Sequence, residues 1–169
     1  VNGAAKITCH GGKIGQVFGG SDFKGDCRSS NPTLAQQGSC PLKITKFYGA
    51  GSEATVNGNV NVVVAACSDE NSMIEYVCGG SYKAFINGSV TLTITSGFFK
   101  NVYGGNDERG GIKGNITVNI EETDPCTKPI IIENLVGGGN NAAFPGTYEN
   151  GTDIESGDAN PHTITVNES

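Results

Sequence analysis

Carboxylates are the side chains in this chain best suited to chemistry. Asp107, Glu108, Glu121, Glu122 and Asp124 follow one another closely, and cleavage of a glycan needs two such groups facing across one cleft, roughly 5 to 10 Å apart. A polysaccharide lyase or glycoside hydrolase acting through Asp107 and Glu121 is therefore one candidate. With Asp22 and Glu53, the same acids stand beside Ser21, Ser52, Ser81, Asn106 and Asn140 and could offer oxygens to calcium. Calcium takes about six to eight oxygen ligands, and no calcium-loop motif is spelled here, so we expect no metal and no cofactor. Phe18, Tyr48 and Tyr103 recur at like positions and could form a platform for sugar rings, or be buried, the usual fate of aromatic side chains. Tyr48, Tyr103, Asp107 and Glu108 are thus the candidate ligand contacts. His10 and His162 lie far apart with no third ligand near in sequence, which predicts exposed imidazoles rather than a metal centre.

The elements that must position these groups repeat. KIGQVFGGS (13 to 21), KITKFYGAGS (43 to 52), MIEYVCGGS (73 to 81), FFKNVYGGN (98 to 106) and IIENLVGGGN (131 to 140) share one form. A large apolar residue (Ile14, Ile44, Ile74, Phe99, Ile132) stands three before a second (Val17, Phe47, Val77, Val102, Leu135), with Phe18, Tyr48, Cys78, Tyr103 or Val136 next, then glycine, then Ser or Asn. Downstream, VNGNVNVVV, INGSVTLTI and IKGNITVNI alternate apolar and polar residues at period two, the signal of a strand. FKGDC (23 to 27) and FPGTY (144 to 148) read as degraded copies that set Cys27 and Tyr148 level with Val60, Val90 and Ile116. Polar stretches at about 28–39 and 149–161 read as inserted surface loops.

Stacked coils require chemically like residues at equivalent positions, because each sits on its counterpart. The expectation is an all-β chain, a right-handed parallel β-helix of about five irregular coils with strands about 4.8 Å apart and loop insertions. Glycine pairs should form its corners, where a Cβ would forbid the backbone angles. Ser21, Ser52, Ser81, Asn106 and Asn140 then form one column, most simply a structural ladder.

Composition narrows the function. A net charge of −6 without Lys/Arg clusters argues against a nucleic-acid partner, and no apolar run approaches the roughly 20 residues of a membrane span. The opening VNGAAKITC lacks the features of a secretion signal, so residues 1–169 are expected to be a single mature domain or part of a longer β-helix. Six cysteines, Cys9, Cys27, Cys40, Cys67, Cys78 and Cys126, form an even set without a CxxC pair, which predicts disulfides in an oxidising compartment. Their positions favour Cys9 with Cys40, then Cys67 with Cys78. Asn87, Asn115, Asn150 and Asn167 each open an Asn-x-Ser/Thr triplet that could accept a glycan.

Copies of the type VYGGN or VFGGS followed by GNITVNI resemble the glycine-rich repeats of secreted and surface-anchored bacterial β-helix proteins of adhesin-like type. Val102, Tyr103, Gly104, Gly105 and Ile116 to Ile120 carry the likeness. It implies a non-catalytic, extracellular or cell-surface structural or adhesive module whose partner is carbohydrate or another surface. The chain ends on an alternating segment, HTITVNES, so open coil ends are expected to pair between copies and build filaments.

Overall fold

In a computed structural model, which describes residues 4–25, 27–36, 42–68, 71–122, 129–142, 146–149, 152–155 and 163–168, the chain is all-β and winds into a parallel β-solenoid of about four turns. Each turn lays one strand in a first sheet, one in a second, then bends at glycine. The turns begin with β1 (Ala4–Ala5), β2 (Thr8–Cys9) and β3 (Gly12–Phe18), followed by β4 (Ser29–Ser30), β5 (Thr33–Ala35) and β6 (Leu42–Tyr48). Next come β7 (Val60–Ala65) and β8 (Ile74–Cys78), then β9 (Val90–Ser96) and β10 (Phe98–Tyr103), then β11 (Ile116–Ile120) and β12 (Ile131–Val136). β13 (Gly146–Glu149) and β14 (Thr152–Glu155) form an antiparallel hairpin, and β15 (Ile164–Glu168) returns to stack in parallel on β11. The first sheet runs β1-β4-β7-β9-β11-β15, and the second β12-β10-β8-β6-β3. At the late end the first sheet therefore stands one strand beyond the second.

The stacking register follows the residue classes of the sequence. Val17 lies on Phe47, Phe47 on Val77, Val77 on Val102 and Val102 on Leu135. In the first sheet Val60, Val90, Ile116 and Ile164 share a column. Alternation in β7 and β9 turns Val60, Val62, Val64, Val90, Leu92 and Ile94 inward, where each is at most 1% exposed, because successive side chains of a strand point to opposite faces.

Three expectations change. Cys27 bridges Val56, in the column that continues through Ile86 and Ile112, so Ser30 rather than Cys27 faces Val60. FPGTY supplies no solenoid strand, since Tyr148 lies in the β13–β14 hairpin, and ITVN at 164 to 167 is the copy that stacks on ITVN at 116 to 119. The stretch at 28–39 is not wholly a loop, for it contributes β4 and β5 to the first sheet, while 149–161 holds β14 and otherwise falls largely outside the described residues.

The corner glycines also serve a different purpose from the expected one. Gly19, Gly49, Gly79 and Gly104 do not adopt positive φ; that conformation falls on Gly12, Gly25, Gly97 and Gly110. What they provide is room. A Cβ on Gly49 would meet the Gly79 carbonyl oxygen at 2.1 Å, one on Gly79 the Gly104 oxygen at 2.5 Å, and one on Gly104 the Gly137 oxygen at 2.2 Å.

Gly104→Ala should therefore lower stability by at least about 2 kcal/mol, the scale of overpacking against backbone that cannot retreat. Gly15→Ala, with nothing within 4 Å of the added carbon, should change it by no more than about 0.5 kcal/mol. Urea midpoints of the two variants test the assignment, and equal losses would contradict it.

Candidate functional site

Tyr48, Tyr76, Tyr82 and Tyr103, four of the five tyrosines in the chain, gather where the second sheet meets the glycine corner. Phe18 stacks flat on Tyr48 with centroids 4.9 Å apart and planes 4° from parallel. Tyr48 leans on Tyr82 at 5.6 Å and on Tyr76 at 6.1 Å, and Tyr76 meets Tyr103 at 5.0 Å. Lys46 holds its ammonium 5.5 Å from the centre of the Tyr76 ring. The register explains the convergence, since Tyr48, Cys78 and Tyr103 share one column and Lys46, Tyr76 and Asn101 share another.

Asp107 lies at the centre. It is 4% exposed. Its Oδ2 accepts the Tyr48 hydroxyl at 2.9 Å, and its Oδ1 accepts the Tyr76 hydroxyl and, at 3.1 Å, Asn140 Nδ2. A carboxylate that leaves water keeps its charge at tolerable cost only when donors replace the solvent, and these three come from three different coils. Burial, followed by the bond to Asp107, pushes both the Tyr48 and the Tyr76 hydroxyls well above the usual tyrosine range. Beneath them Cys78 is buried and donates to the Gly105 carbonyl at 3.1 Å; burial, then the Asp107 charge, raises its thiol too.

Beside this centre, Ser81 and Asn106 form the core of the expected polar column. Asn106 Oδ1 accepts the Ser81 amide at 2.8 Å and its hydroxyl at 3.0 Å, while Asn106 Nδ2 donates to the Ala84 and Gly110 carbonyls at 3.1 Å. Among the described residues no buried side-chain nitrogen or oxygen lacks a partner. The column is a backbone-pinning ladder. The calcium arrangement is not assembled, because among the described residues no three His, Cys, Asp or Glu side chains gather.

The other candidates divide. Tyr48 is 1% exposed, so it is part of the centre and not a sugar platform, while Tyr103 is half-buried on its flank. Glu108 is exposed and accepts the Tyr82 hydroxyl at 2.8 Å and Lys83 Nζ at 3.2 Å. Those two partners hold its carboxyl below the usual range, and Tyr82, then Glu108, hold Lys83 above its own. Glu122 Oε1 accepts the Ile130 amide at 3.0 Å, and Asp124 lies outside the described residues. Asn87 and Asn167 donate their Nδ2 groups to Asn57 at 3.0 Å and Asn119 at 2.9 Å; Asn115 Oδ1 accepts the Thr163 amide. Asn150 and His162 lie outside the described residues, and His10 is exposed as expected.

The cysteine pairing is corrected. Cys9, Cys27 and Cys78 are buried free thiols, so neither Cys9 with Cys40 nor Cys67 with Cys78 is formed. Cys9 and Cys27 fill core positions that a small apolar side chain suits, on Leu34 and Val56, while Cys78 is buried in the tyrosine centre, between Tyr48 and Tyr103. Cys67 is disulfide-bonded, while Cys40 and Cys126 fall outside the described residues. The reading from sequence missed Tyr76, Tyr82 and Asn140 as partners in the centre. Compared with family models, curated proteins and solved structures, the chain matches none.

Two outcomes check this account. Asp107→Ala, which strands two hydroxyls and an amide, should cost about 3 kcal/mol, and Asp107→Asn less, because one acceptor oxygen remains. The raised phenols favour the folded state below about pH 10 and withdraw that support as pH climbs above it, so the urea midpoint should fall in alkali, and less steeply in Tyr48→Phe. Separately, alkylation of the unfolded, unreduced chain should label Cys9, Cys27 and Cys78 but not Cys67 in a peptide map.

Proposed function

We propose that this chain is a non-catalytic structural or adhesive β-solenoid module of an extracellular or cell-surface protein, with carbohydrate or another surface as its partner and the capacity to pair end to end. The observation that carries the reading is the outer edge of β15, with which no described strand pairs. In each coil the first residue of the inward column donates its amide to the following coil: Val60 to Ser89, Val90 to Asn115, Ile116 to Thr163. Ile164 pairs with Ile116, and no described strand pairs with the outer side of β15 or β12. The same end exposes Ile131, Leu135, Val136 and Val166, at 37 to 45%. Outward donors beside apolar side chains are the means by which sheets recruit further strands.

Several features support the remainder of the reading. The likeness of the repeats to adhesin-type surface proteins favours a surface role. A disulfide-bonded Cys67 suits an oxidising compartment, and buried thiols such as Cys78 are inert there. The rival glycan-cleaving pair is poorly arranged. Asp107 is saturated by its three donors, and β11, five residues long, lies between it and Glu121 and spans roughly 16 Å, against the 5 to 10 Å that such a pair requires.

Alternation directs the amides of Ile164 and Val166 outward and that of Thr165 toward β11. Static light scattering should show mass rising with concentration, and Val166→Pro should suppress the rise by removing an edge donor. Thr165→Pro would instead weaken the contact of β15 with its own solenoid. A monomer at every concentration would end the assembly reading.

A further inference from the structure

The outer face of the second sheet divides by charge. Leu42 and Ile44 are buried in the core, so Lys43 between them points outward, and Lys13, exposed on β3, stands level with it. Lys46 lies further along β6, and neither GKIGQVF nor LKITKFY contains an acid. In the later coils the same sheet carries Glu75, Lys100 and Glu133, one on each strand and level with one another. Charges therefore alternate in sign along the stack from β8 to β12 and repeat in sign from β3 to β6.

The repetition has a cost. Like charges directly opposite on neighbouring strands are destabilising, and the backbones of Lys13 and Lys43 lie one strand spacing apart, about 4.8 Å. Among the described residues neither has a carboxylate within 4 Å. Lys46 rests its ammonium against Tyr76, 5.5 Å from the ring centre, and so adds charge to the patch rather than a free contact. In a chain of net charge −6, lysines gathered in this way make a local positive field that an anionic partner would relieve.

The surroundings select the class of anion. A single charge is held weakly at exposed lysines, whereas a chain with an anion on each unit gathers several such contacts at once. Gln16, level with Lys46, and Thr45 are both exposed and offer an amide and a hydroxyl, groups that donate and accept as a hydroxylated chain requires. Nucleic acid would need open aromatic faces for its bases, and the rings at hand are engaged, Phe18 with Tyr48 and Tyr76 with Tyr103 and Lys46.

We propose that the outer face of β3 and β6 binds an acidic polysaccharide, with carboxylates of its uronate units against Lys13 and Lys43 and hydroxyls on Gln16 and Thr45. The proposal rests on the carbohydrate-binding reading above and narrows it to one face and to acidic sugars.

The test is titration of the ¹⁵N-labelled chain, at about 20 mM salt so that surface charges are little screened, with tetragalacturonate, tetramannuronate and a hyaluronan tetrasaccharide. Cellotetraose is the neutral counterpart and a thymidine oligonucleotide the non-saccharide polyanion. At least one acidic tetrasaccharide should shift the amides of Lys13, Gln16, Lys43 and Thr45. Lys13→Gln combined with Lys43→Gln should weaken that binding at least about tenfold without lowering the urea midpoint, because a like-charge pair is removed. Lys100→Gln, on the same sheet, should change it less than about twofold. Equal affinity for cellotetraose, tighter binding of the oligonucleotide at these amides, or binding indifferent to the double variant would each overturn the proposal. Shifts confined to another face would overturn the lysine patch and leave a carbohydrate-binding module. No shift with any sugar would overturn both the patch and the carbohydrate partner, while end-to-end pairing is judged separately by light scattering.

Discussion

At every corner of this solenoid the carbonyl oxygen of one glycine occupies the place where a side chain of the preceding coil would begin. Gly19 faces the Gly49 oxygen, and Gly49, Gly79 and Gly104 each face the next glycine in turn, at 2.1 to 2.5 Å from where a Cβ would lie. This close approach lets the ladder continue around the bend, with Gly49 donating to Cys78, Gly79 to Tyr103 and Gly104 to Val136 at 2.8 to 2.9 Å. Backbone bonds left unmade at a buried corner would each carry a desolvation cost, so the two sheets can be joined only because the corners are bare. The inward columns, the polar ladder and the tyrosine centre all inherit their register from it.

Asp107 works on that frame as a cross-tie. Parallel coils are bound mainly to their nearest neighbours, yet Tyr48 ends β6, Tyr76 lies in β8, Asp107 follows β10 and Asn140 follows β12, so one carboxylate takes bonds from three coils besides its own. The ring stack from Phe18 through Tyr48 carries the contact to the coil of β3. Such a network is costly if half made and firm when complete.

The columns were legible in the sequence because stacking makes equivalent positions alike. Ile14 faces Ile44, Phe99 lies between Ile74 and Ile132, and ITVN meets ITVN. The errors arise where one residue type serves two purposes. Gly25 resembled Gly58, and this set Cys27 level with Val60; but Gly25 is needed for its φ of +94° in open space, whereas Gly58 is needed because a Cβ would meet the Arg28 oxygen at 2.4 Å. The Asp107 centre was not legible for a different reason. Its members belong to different columns and share no chemical class, so no periodicity marks them, and an Asp in a polar bend looks the same whether water or tyrosine surrounds it. Cys9, Cys27 and Cys78 misled by number, since an even count cannot distinguish thiols buried unpaired from thiols that pair.

The cross-tie also sets which parts of the solenoid can be copied. A coil that touches only its neighbours can be duplicated or deleted by recombination with little loss, which is how arrays of this kind change length. Between β6 and β12 that freedom is gone: one added coil would carry Tyr48 about 4.8 Å further from Asp107 and leave the carboxylate buried with too few donors. A coil added at either flank would leave the centre intact, whereas one added within the block from Leu42 to Asn140 would break it.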